Sequence, residues 1–267
     1  MGSLCDIVLN ELGFSSRLAA FVRFDRNDFN DPRLFVLALA HRLASFDRRL
    51  GEAIIDVVQR TPNITETQKL SQQLESLVLG PLNKYRNEMQ GEGPIVIVID
   101  GLDECMQNNR DSFSELLQLF TDDHFFAPFP HVRVIIASRP EYAIKKAFIK
   151  DQHILHFPLD ITSRETQADV KLFLKHKLSA KITNFDNVVS ESNLETLARR
   201  ASGLFIWARV TIDFIAGDPE KRLSDVVAGD PPTNALHALT ILYRSALDCI
   251  AEDEDTKADL RVTLGVI

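Results

Sequence analysis

The feature that most constrains the fold is a run of five β-branched aliphatic residues, Ile95 to Ile99, bounded by Gly93-Pro94 and by Asp100-Gly101. A strand with no polar alternation cannot leave one face in water, so the run predicts a strand covered on both faces. The glycines and proline limit the run to strand length and make a helix the weaker interpretation. The run therefore predicts a parallel sheet flanked by helices.

Acidic residues follow this strand directly, at Asp100, Asp103 and Glu104. In open α/β sheets the ligand crevice lies beyond the carboxyl ends of the strands, where these residues would sit. Three carboxylates there suit a hard cation such as Mg²⁺ and the polarising of a water molecule. An acidic turn with no ligand is an equally good interpretation, because Asp-Gly turns commonly follow strands.

A second apolar run, Val132 to Ala137, ends in Ser138, Arg139 and a proline. The helix predicted between the two runs favours a right-handed crossover and hence adjacent parallel strands. Ser138 and Arg139 would then reach the same sheet edge as Asp100. An arginine there could clamp a phosphoryl oxygen or pair with the neighbouring carboxylates, and the sequence leaves both roles open.

The remaining strands and helices follow from apolar periodicity. Strands are predicted for 19–24 and 154–159. Helices are predicted for 4–12, 34–43, 50–58, 69–79, 82–89, 113–120, 162–178, 194–201 and 204–215. Asp31 is expected to cap the second of these helices, a break is expected at Gly80-Pro81, and Thr162 with Glu165 is expected to form a capping box. Trp207 has apolar neighbours that favour core packing over a cofactor platform.

The predicted domains are an α/β core over residues 1–160, a helical domain over 161–230, and the start of a further helical or winged-helix module over 231–267. The boundary near residue 230 rests on Pro231-Pro232. The fold class expected is thus a three-layer α/β sheet followed by an all-helical domain.

Net charge and cysteine content limit the classes of binding partner and the compartment that we expect for this protein. The formal net charge of −8, from 30 basic and 38 acidic residues, gives no general attraction to nucleic acid or to an anionic membrane. Three widely spaced cysteines fit a reducing compartment and neither a disulfide framework nor a zinc site. We therefore expect a cytoplasmic protein whose partners are other protein domains or a second copy of itself.

Three segments, IVIVIDGLDEC, VRVIIASRPE and ASGLFIWARVTIDFI, occur in an order and spacing that resemble fungal NACHT-type signal-transduction NTPases. These STAND P-loop proteins are relatives of NOD-like receptors, and their NTPase region is often labelled nephrocystin-3-like. The resemblance implies a P-loop NTPase-type sheet with Mg-ATP or Mg-GTP as cofactor. It implies Asp100 as the Mg²⁺ residue ending the Walker B strand, Asp103 and Glu104 as catalytic residues assisting attack by water, and Ser138 and Arg139 as sensors of the terminal phosphate.

The chain departs from that family at the phosphate cradle. A P-loop needs a glycine-rich turn ending in Gly-Lys-Ser/Thr, and the 267 residues contain no Gly-Lys dipeptide. The first strand and Walker A segment are expected just before the helix 4–12, where the chain reads Met1-Gly2-Ser3. Truncation, natural degeneration and an expression scar are open explanations. We expect a fragment or degenerate copy of a nucleotide-switched ATPase that binds ATP poorly, or alternatively a non-catalytic interaction module.

Overall fold

The computed structural model describes residues 17–64, 69–106, 110–121, 129–149 and 153–228, together with residues 237 and 240. The chain divides into two compact units, Met1–His156 and Phe157–Ile267. The predicted helix 4–12 and the predicted module from residue 231 onward lie outside the described residues, apart from residues 237 and 240. In the described part of the chain, every helix is too short or too polar to cross a membrane.

The first unit contains a parallel sheet of three strands in the order β1-β2-β3. The strands are β1 (Arg17–Arg23), β2 (Ile95–Asp100) and β3 (Val132–Ile136). Ile99 of β2 pairs with Val22 on one side and with Ile136 on the other. This arrangement confirms that the two apolar runs are adjacent parallel strands, and that a further strand precedes them in the chain.

Strand β2 is the middle strand and is buried on both faces, as its composition predicts. Its odd-numbered residues Ile95, Ile97 and Ile99 belong to the main hydrophobic core, whereas Val96 and Val98 form a smaller cluster on the opposite face. Because side chains alternate between the two faces of a strand, an unbroken apolar run is what this double burial requires.

Helices surround the sheet of the first unit. They are α1 (Phe35–Phe46), α2 (Arg48–Arg60), α3 (Leu70–Leu74), α4 (Gly80–Lys84), α5 (Arg86–Gln90), α6 (Arg110–Thr121) and α7 (Tyr142–Phe148). Asp31 caps a 3₁₀ turn, Pro32–Leu34, that leads into α1, and its carboxylate accepts from the backbone N–H of Arg33. This confirms the predicted Asp31-Pro32 start.

The predicted helix break at Gly80-Pro81 is wrong. A π-helical segment, Glu75–Leu79, joins α3 to α4, and the N–H of Gly80 donates to the carbonyl of Glu75. Proline is excluded from a regular helix because its ring collides with the carbonyl four residues earlier and because it donates no hydrogen bond. The wider π turn relieves both conflicts, so the chain stays helical through Pro81.

The second unit is helical in its described part. Its helices are α8 (Arg164–Lys181), α9 (Phe185–Val188), α10 (Glu191–Ala201), α11 (Phe205–Gly217) and α12 (Pro219–Ala228). Their apolar faces meet in one cluster that includes Leu174, Leu197 and Trp207, all buried. Trp207 is therefore a core residue, as its neighbours in the sequence predicted.

The start of α8 differs by one residue from the predicted capping box. Ser163 is the N-cap and accepts from the backbone N–H of Thr166. Thr162 is unsuited to the cap because its own N–H and hydroxyl both donate to the carboxylate of Asp160. Asp160 thus forms a turn that shifts the helix start from Thr162 to Ser163.

The predicted strand 154–159 is wrong. The segment has no regular secondary structure and pairs with none of the described strands, and Leu155, Phe157 and Leu159 are exposed. Alternating apolar residues indicate a strand only where a neighbouring strand supplies backbone partners and a covered face. No described strand does so for this segment.

Candidate functional site

A cleft of about 300 Å³ lies where strands β1 and β2 end. Its lining is mainly charged and comes from the two strand exits. The lining residues used below are Arg23, Asp25, Arg26, Asp100, Gly101 and Glu104. The carboxyl ends of parallel strands form the usual ligand crevice of open α/β sheets, so the cleft occupies the place where a ligand is expected.

The turn after β2 brings the two strand exits together. Gly101 has a left-handed backbone, with φ of 70°, and a Cβ atom at this position would lie 2.9 Å from the carbonyl oxygen of Phe24. The N–H of Phe24 in turn donates to the carbonyl of Asp100 at 2.9 Å. Glycine is required because other residues rarely adopt this conformation and because no side chain fits against Phe24. A 3₁₀ turn, Leu102–Cys105, follows and carries the acidic residues.

Asp103 is turned away from solvent toward the end of β3. It is 5% exposed, and its Oδ1 accepts from the backbone N–H of Arg139 at 2.9 Å and from the hydroxyl of Ser138 at 3.3 Å. Arg139 Nε lies 3.6 Å from Oδ2. The structure therefore brings Asp103, Ser138 and Arg139 together. In this arrangement Asp103 holds the exit of β3 against the turn after β2.

Glu104 lies between two arginines. Its Oε2 is 2.6 Å from Arg26 Nε, and its Oε1 is 3.7 Å from Arg139 Nη2. The sequence left two roles open for Arg139, a contact with a phosphoryl oxygen and an ion pair with the neighbouring carboxylates. In the structure Arg139 pairs with the carboxylates of the acidic turn. Glu104 thereby links the exits of β1 and β3 across the end of β2.

Asp100 is the last residue of β2 and lines the cleft half-buried. Within the described residues its side chain has neither a hydrogen bond nor an ion pair. The predicted group of three carboxylates does not converge, since Asp103 faces β3. More broadly, no three His, Cys, Asp or Glu side chains among the described residues are placed to hold a metal ion.

A single carboxylate without a partner among the described residues, that of Asp100, still fits one kind of cation. Mg²⁺ in nucleotide sites keeps several waters and takes one or two protein carboxylates, with phosphates supplying other ligands. Asp100 meets that requirement at the end of its strand. The predicted roles of Asp100, Asp103, Glu104, Ser138 and Arg139 toward a nucleotide stay predictions.

Three of the residues that line the cleft were not predicted from the sequence. Arg23, Asp25 and Arg26 come at or just after the end of β1. The available signal was topological: a strand parallel to β2 must end at the same edge, so charged residues after it also face the crevice.

Cys105 lies in the same turn and is fully buried. Its Sγ donates to the carbonyl oxygen of Leu102 at 3.2 Å. Burial raises the pKa of the Cys105 thiol to about 12, with the carboxylate of Asp103 a smaller cause. The thiol is therefore neutral at physiological pH and is a packing group of the turn, since only the thiolate is nucleophilic.

A protein-family model described as Nephrocystin 3, N-terminal, matches residues 3–139, just over half of the chain. The matched region includes all three strands and the described residues around the cleft, and it ends at Arg139. No curated protein and no solved structure gives a significant match.

Proposed function

The chain belongs to the Nephrocystin 3, N-terminal family, and on that premise we propose that its first unit is the NTPase-type core of a nucleotide-switched signal-transduction protein of the NACHT class. The observation that carries the proposal is the linked edge of the sheet. Asp103 joins the turn after β2 to Ser138 and Arg139 after β3, and Asp100 faces the adjacent cleft. A change in one strand exit would therefore reach the others.

In this proposal each side chain has a separate role. When bound, Mg²⁺ would neutralise the charge of the nucleotide phosphates. Asp100 would contact the cation through water. Glu104 would orient the attacking water, and Ser138 with Arg139 would respond to the terminal phosphate. Asp103 would position the Ser138-Arg139 segment through its contacts with the backbone and hydroxyl.

We further propose that the 267 residues alone bind nucleotide weakly. They contain no Gly-Lys-Ser/Thr sequence to surround the phosphates with backbone amides. Carboxylates in the cleft repel phosphate unless Mg²⁺ intervenes. Calorimetric titration of this chain with Mg-ATP and Mg-GTP is expected to give no affinity tighter than about millimolar. A micromolar dissociation constant would contradict this part of the proposal.

The nucleotide role itself is tested in a hybrid chain. A strand and Gly-Lys-Ser/Thr loop from a related NTPase would be placed before Ser3, and binding of Mg-ATP would be measured beside phosphate release. Asp100→Asn should weaken Mg-ATP binding about tenfold to a hundredfold, because one charge-assisted contact is worth roughly 1.5–3 kcal/mol. Glu104→Gln should leave binding close to that of the parent hybrid or tighter, and should slow phosphate release.

The hybrid experiment can also reject the proposal. If the parent hybrid folds but does not bind Mg-ATP, or if Asp100→Asn and Glu104→Gln have the same effect, the acidic turn is structural. Folding is checked by circular dichroism, and Glu92→Gln is the control variant, because Glu92 lies before β2 at the opposite end of the sheet.

A non-catalytic interaction module is the second candidate. It is favoured by the ion pairs of Glu104 with Arg26 and Arg139, which satisfy much of the charge at this edge with no ligand. The partners would then be other protein domains or a second copy of the chain. Failure of the folded hybrid to bind nucleotide is the outcome expected for this candidate.

A further inference from the structure

We propose that Arg26 is a phosphate-binding residue of the cleft and that Glu104 occupies its guanidinium when no phosphate is bound. The inference rests on the proposed nucleotide function for the identity of the ligand, a polyphosphate chain. Arg26 lies in the loop after β1. It belongs neither to the acidic turn nor to the Ser138-Arg139 segment, for which the family resemblance implies roles.

The position of Arg26 is the first support. The residue lines the cleft shortly after β1, beside the glycine turn at Gly101 and the carboxylate of Asp100, which is unpaired among the residues that the structure describes. Its side chain is 49% exposed, so a ligand can reach the guanidinium from solvent. A cation placed next to a candidate Mg²⁺ ligand is suited to a phosphate chain that contacts both.

The partner of Arg26 is the second support. A carboxylate and a phosphate present similar oxygen pairs to a guanidinium, so Glu104 Oε2, at 2.6 Å from Arg26 Nε, lies where a phosphoryl oxygen would bind. The pair is partly exposed, and exposed ion pairs contribute little to stability. A polyphosphate with several charges can therefore displace Glu104 from Arg26.

A second arginine at the cleft, Arg23, is more exposed than Arg26 and has a longer ion-pair contact. The side chain of Arg23 is 65% exposed, and its Nη2 lies 3.8 Å from Asp25 Oδ2. The Oδ1 of Asp25 already accepts from the backbone N–H of Asn27. Arg23 is thus available as a supporting cation. Asp25 and Asp100 repel a bare polyphosphate, which predicts that binding depends on Mg²⁺.

The test measures binding of inorganic tripolyphosphate to the full 267-residue chain by calorimetry, with and without Mg²⁺. Glu104→Gln removes the competing charge and is expected to raise the affinity about tenfold in the presence of Mg²⁺. Adding Arg26→Gln to that variant should abolish the gain, whereas Arg26→Lys should retain part of it, since lysine keeps the charge but not the fork.

Glu92→Gln is the matched control. Glu92 also accepts from two arginines, Arg17 and Arg49, but at the opposite end of the sheet. Its removal should leave tripolyphosphate affinity unchanged. An affinity that does not respond to Glu104→Gln, or a gain that persists without Arg26, overturns the proposal, as does an equal gain in Glu92→Gln.

Parallel titrations with Mg-ATP separate this inference from the proposed function. If Glu104→Gln strengthens tripolyphosphate binding to the 267-residue chain while the folded parent hybrid does not bind Mg-ATP, Arg26 binds phosphate and the nucleotide role fails. If the hybrid chain binds Mg-ATP through Asp100 while Arg26→Gln has no effect on tripolyphosphate or Mg-ATP, the nucleotide role stands and this inference fails.

Discussion

The amino and carboxyl ends of the sheet both place arginines against carboxylates, and they differ in how tightly these groups are held. At the amino end, Glu92 accepts from Arg17 at 2.7 Å and from Arg49 at 2.8 Å. At the carboxyl end, Arg26 lies 2.6 Å from Glu104, but the other two arginines have longer contacts. Arg139 lies 3.6 Å from Asp103 and 3.7 Å from Glu104, and Arg23 lies 3.8 Å from Asp25.

The two ends of the sheet also differ in how completely their charged side chains are paired. Arg49 also donates to Asp47, and these arginine contacts lower the pKa of the Glu92 carboxyl below its usual value, with Arg49 the main cause and Arg17 a smaller one. The carboxyl end instead has a cleft, an Asp100 that is unpaired within the described residues, and two arginines, Arg23 and Arg139, whose contacts are 3.6 Å or longer. The charged groups at the amino end are therefore paired with one another by short hydrogen bonds, whereas the carboxyl end keeps charged groups available for a ligand.

A pair of glycines on opposite sides of β2, Gly101 and Gly91, gives the sharpest test of this comparison. Gly101→Ala should lower the free energy of unfolding of the first unit by roughly 3 kcal/mol, from the left-handed backbone and the overpacking against Phe24. Gly91→Ala should be close to neutral, because Gly91 has φ of −78° and an added Cβ meets nothing nearer than 3.9 Å.

Hydrogen exchange of the β2 amides in urea is the appropriate measurement for this pair. The single tryptophan, Trp207, lies in the second unit and would not report directly on the sheet. Equal effects of Gly101→Ala and Gly91→Ala would show that the close approach at the carboxyl end is not maintained in solution.

A second pair compares one buried carboxylate with one exposed carboxylate. Asp103→Ala leaves the N–H of Arg139 without its acceptor and should cost about 2 kcal/mol, because loss of a partner in a buried site carries a desolvation penalty. Glu92→Ala should cost less than about 1 kcal/mol, since its side chain is 39% exposed. The same exchange experiment measures both. A larger loss for Glu92→Ala would mean that hydrogen-bond length outweighs burial here.

The fold of the first unit was largely predictable because burial leaves a direct mark on composition. The five apolar residues of β2 required cover on both faces, and the helices around the sheet follow from parallel connections. The exceptions have local causes. The helix continues through Pro81 by means of a π turn, and 154–159 has strand periodicity with no strand partner among the described residues.

The site was predictable only to the level of the sheet edge. Parallel topology places Asp100, Glu104 and Arg139 at the same edge, but it does not decide which arginine pairs with which carboxylate. That choice depends on differences of an ångström or two in side-chain position. Arg26 was missed for a related reason: a charged residue in a loop has no periodicity to distinguish it from a solvated one.

The third prediction concerns pH at the amino end of the sheet. His131 precedes β3, is 7% exposed, and neither ring nitrogen has a hydrogen-bond partner in the described part of the chain. Burial lowers the pKa of His131 below 6.5, with Arg86, Arg17 and Arg133 as further causes. The folded chain therefore binds fewer protons than the unfolded chain as the pH falls through 6.5.

Stability should consequently decline on acidification below pH 6.5 and level off below the folded pKa, with a slope of up to about 1.4 kcal/mol per pH unit from this group. His131→Leu should remove that component, so its stability relative to the parent chain should rise as the pH falls from 7 to 5. Parallel pH profiles for the two chains would show that His131 is protonated equally in both states.

The smallest effect is expected for Asp100→Asn in the chain without nucleotide. Asp100 has no hydrogen bond or ion pair within the described residues, and its charged neighbours at the cleft include both signs, such as Arg26 and Glu104. Removing its charge should therefore change the free energy of unfolding by less than about 0.5 kcal/mol, as for surface substitutions without a partner. The β2 amide exchange measurement is repeated at low and high salt, because screening would expose any hidden electrostatic contact. A loss above about 1 kcal/mol would identify Asp100 as a structural residue like Asp103, and the carboxyl end would then resemble the amino end.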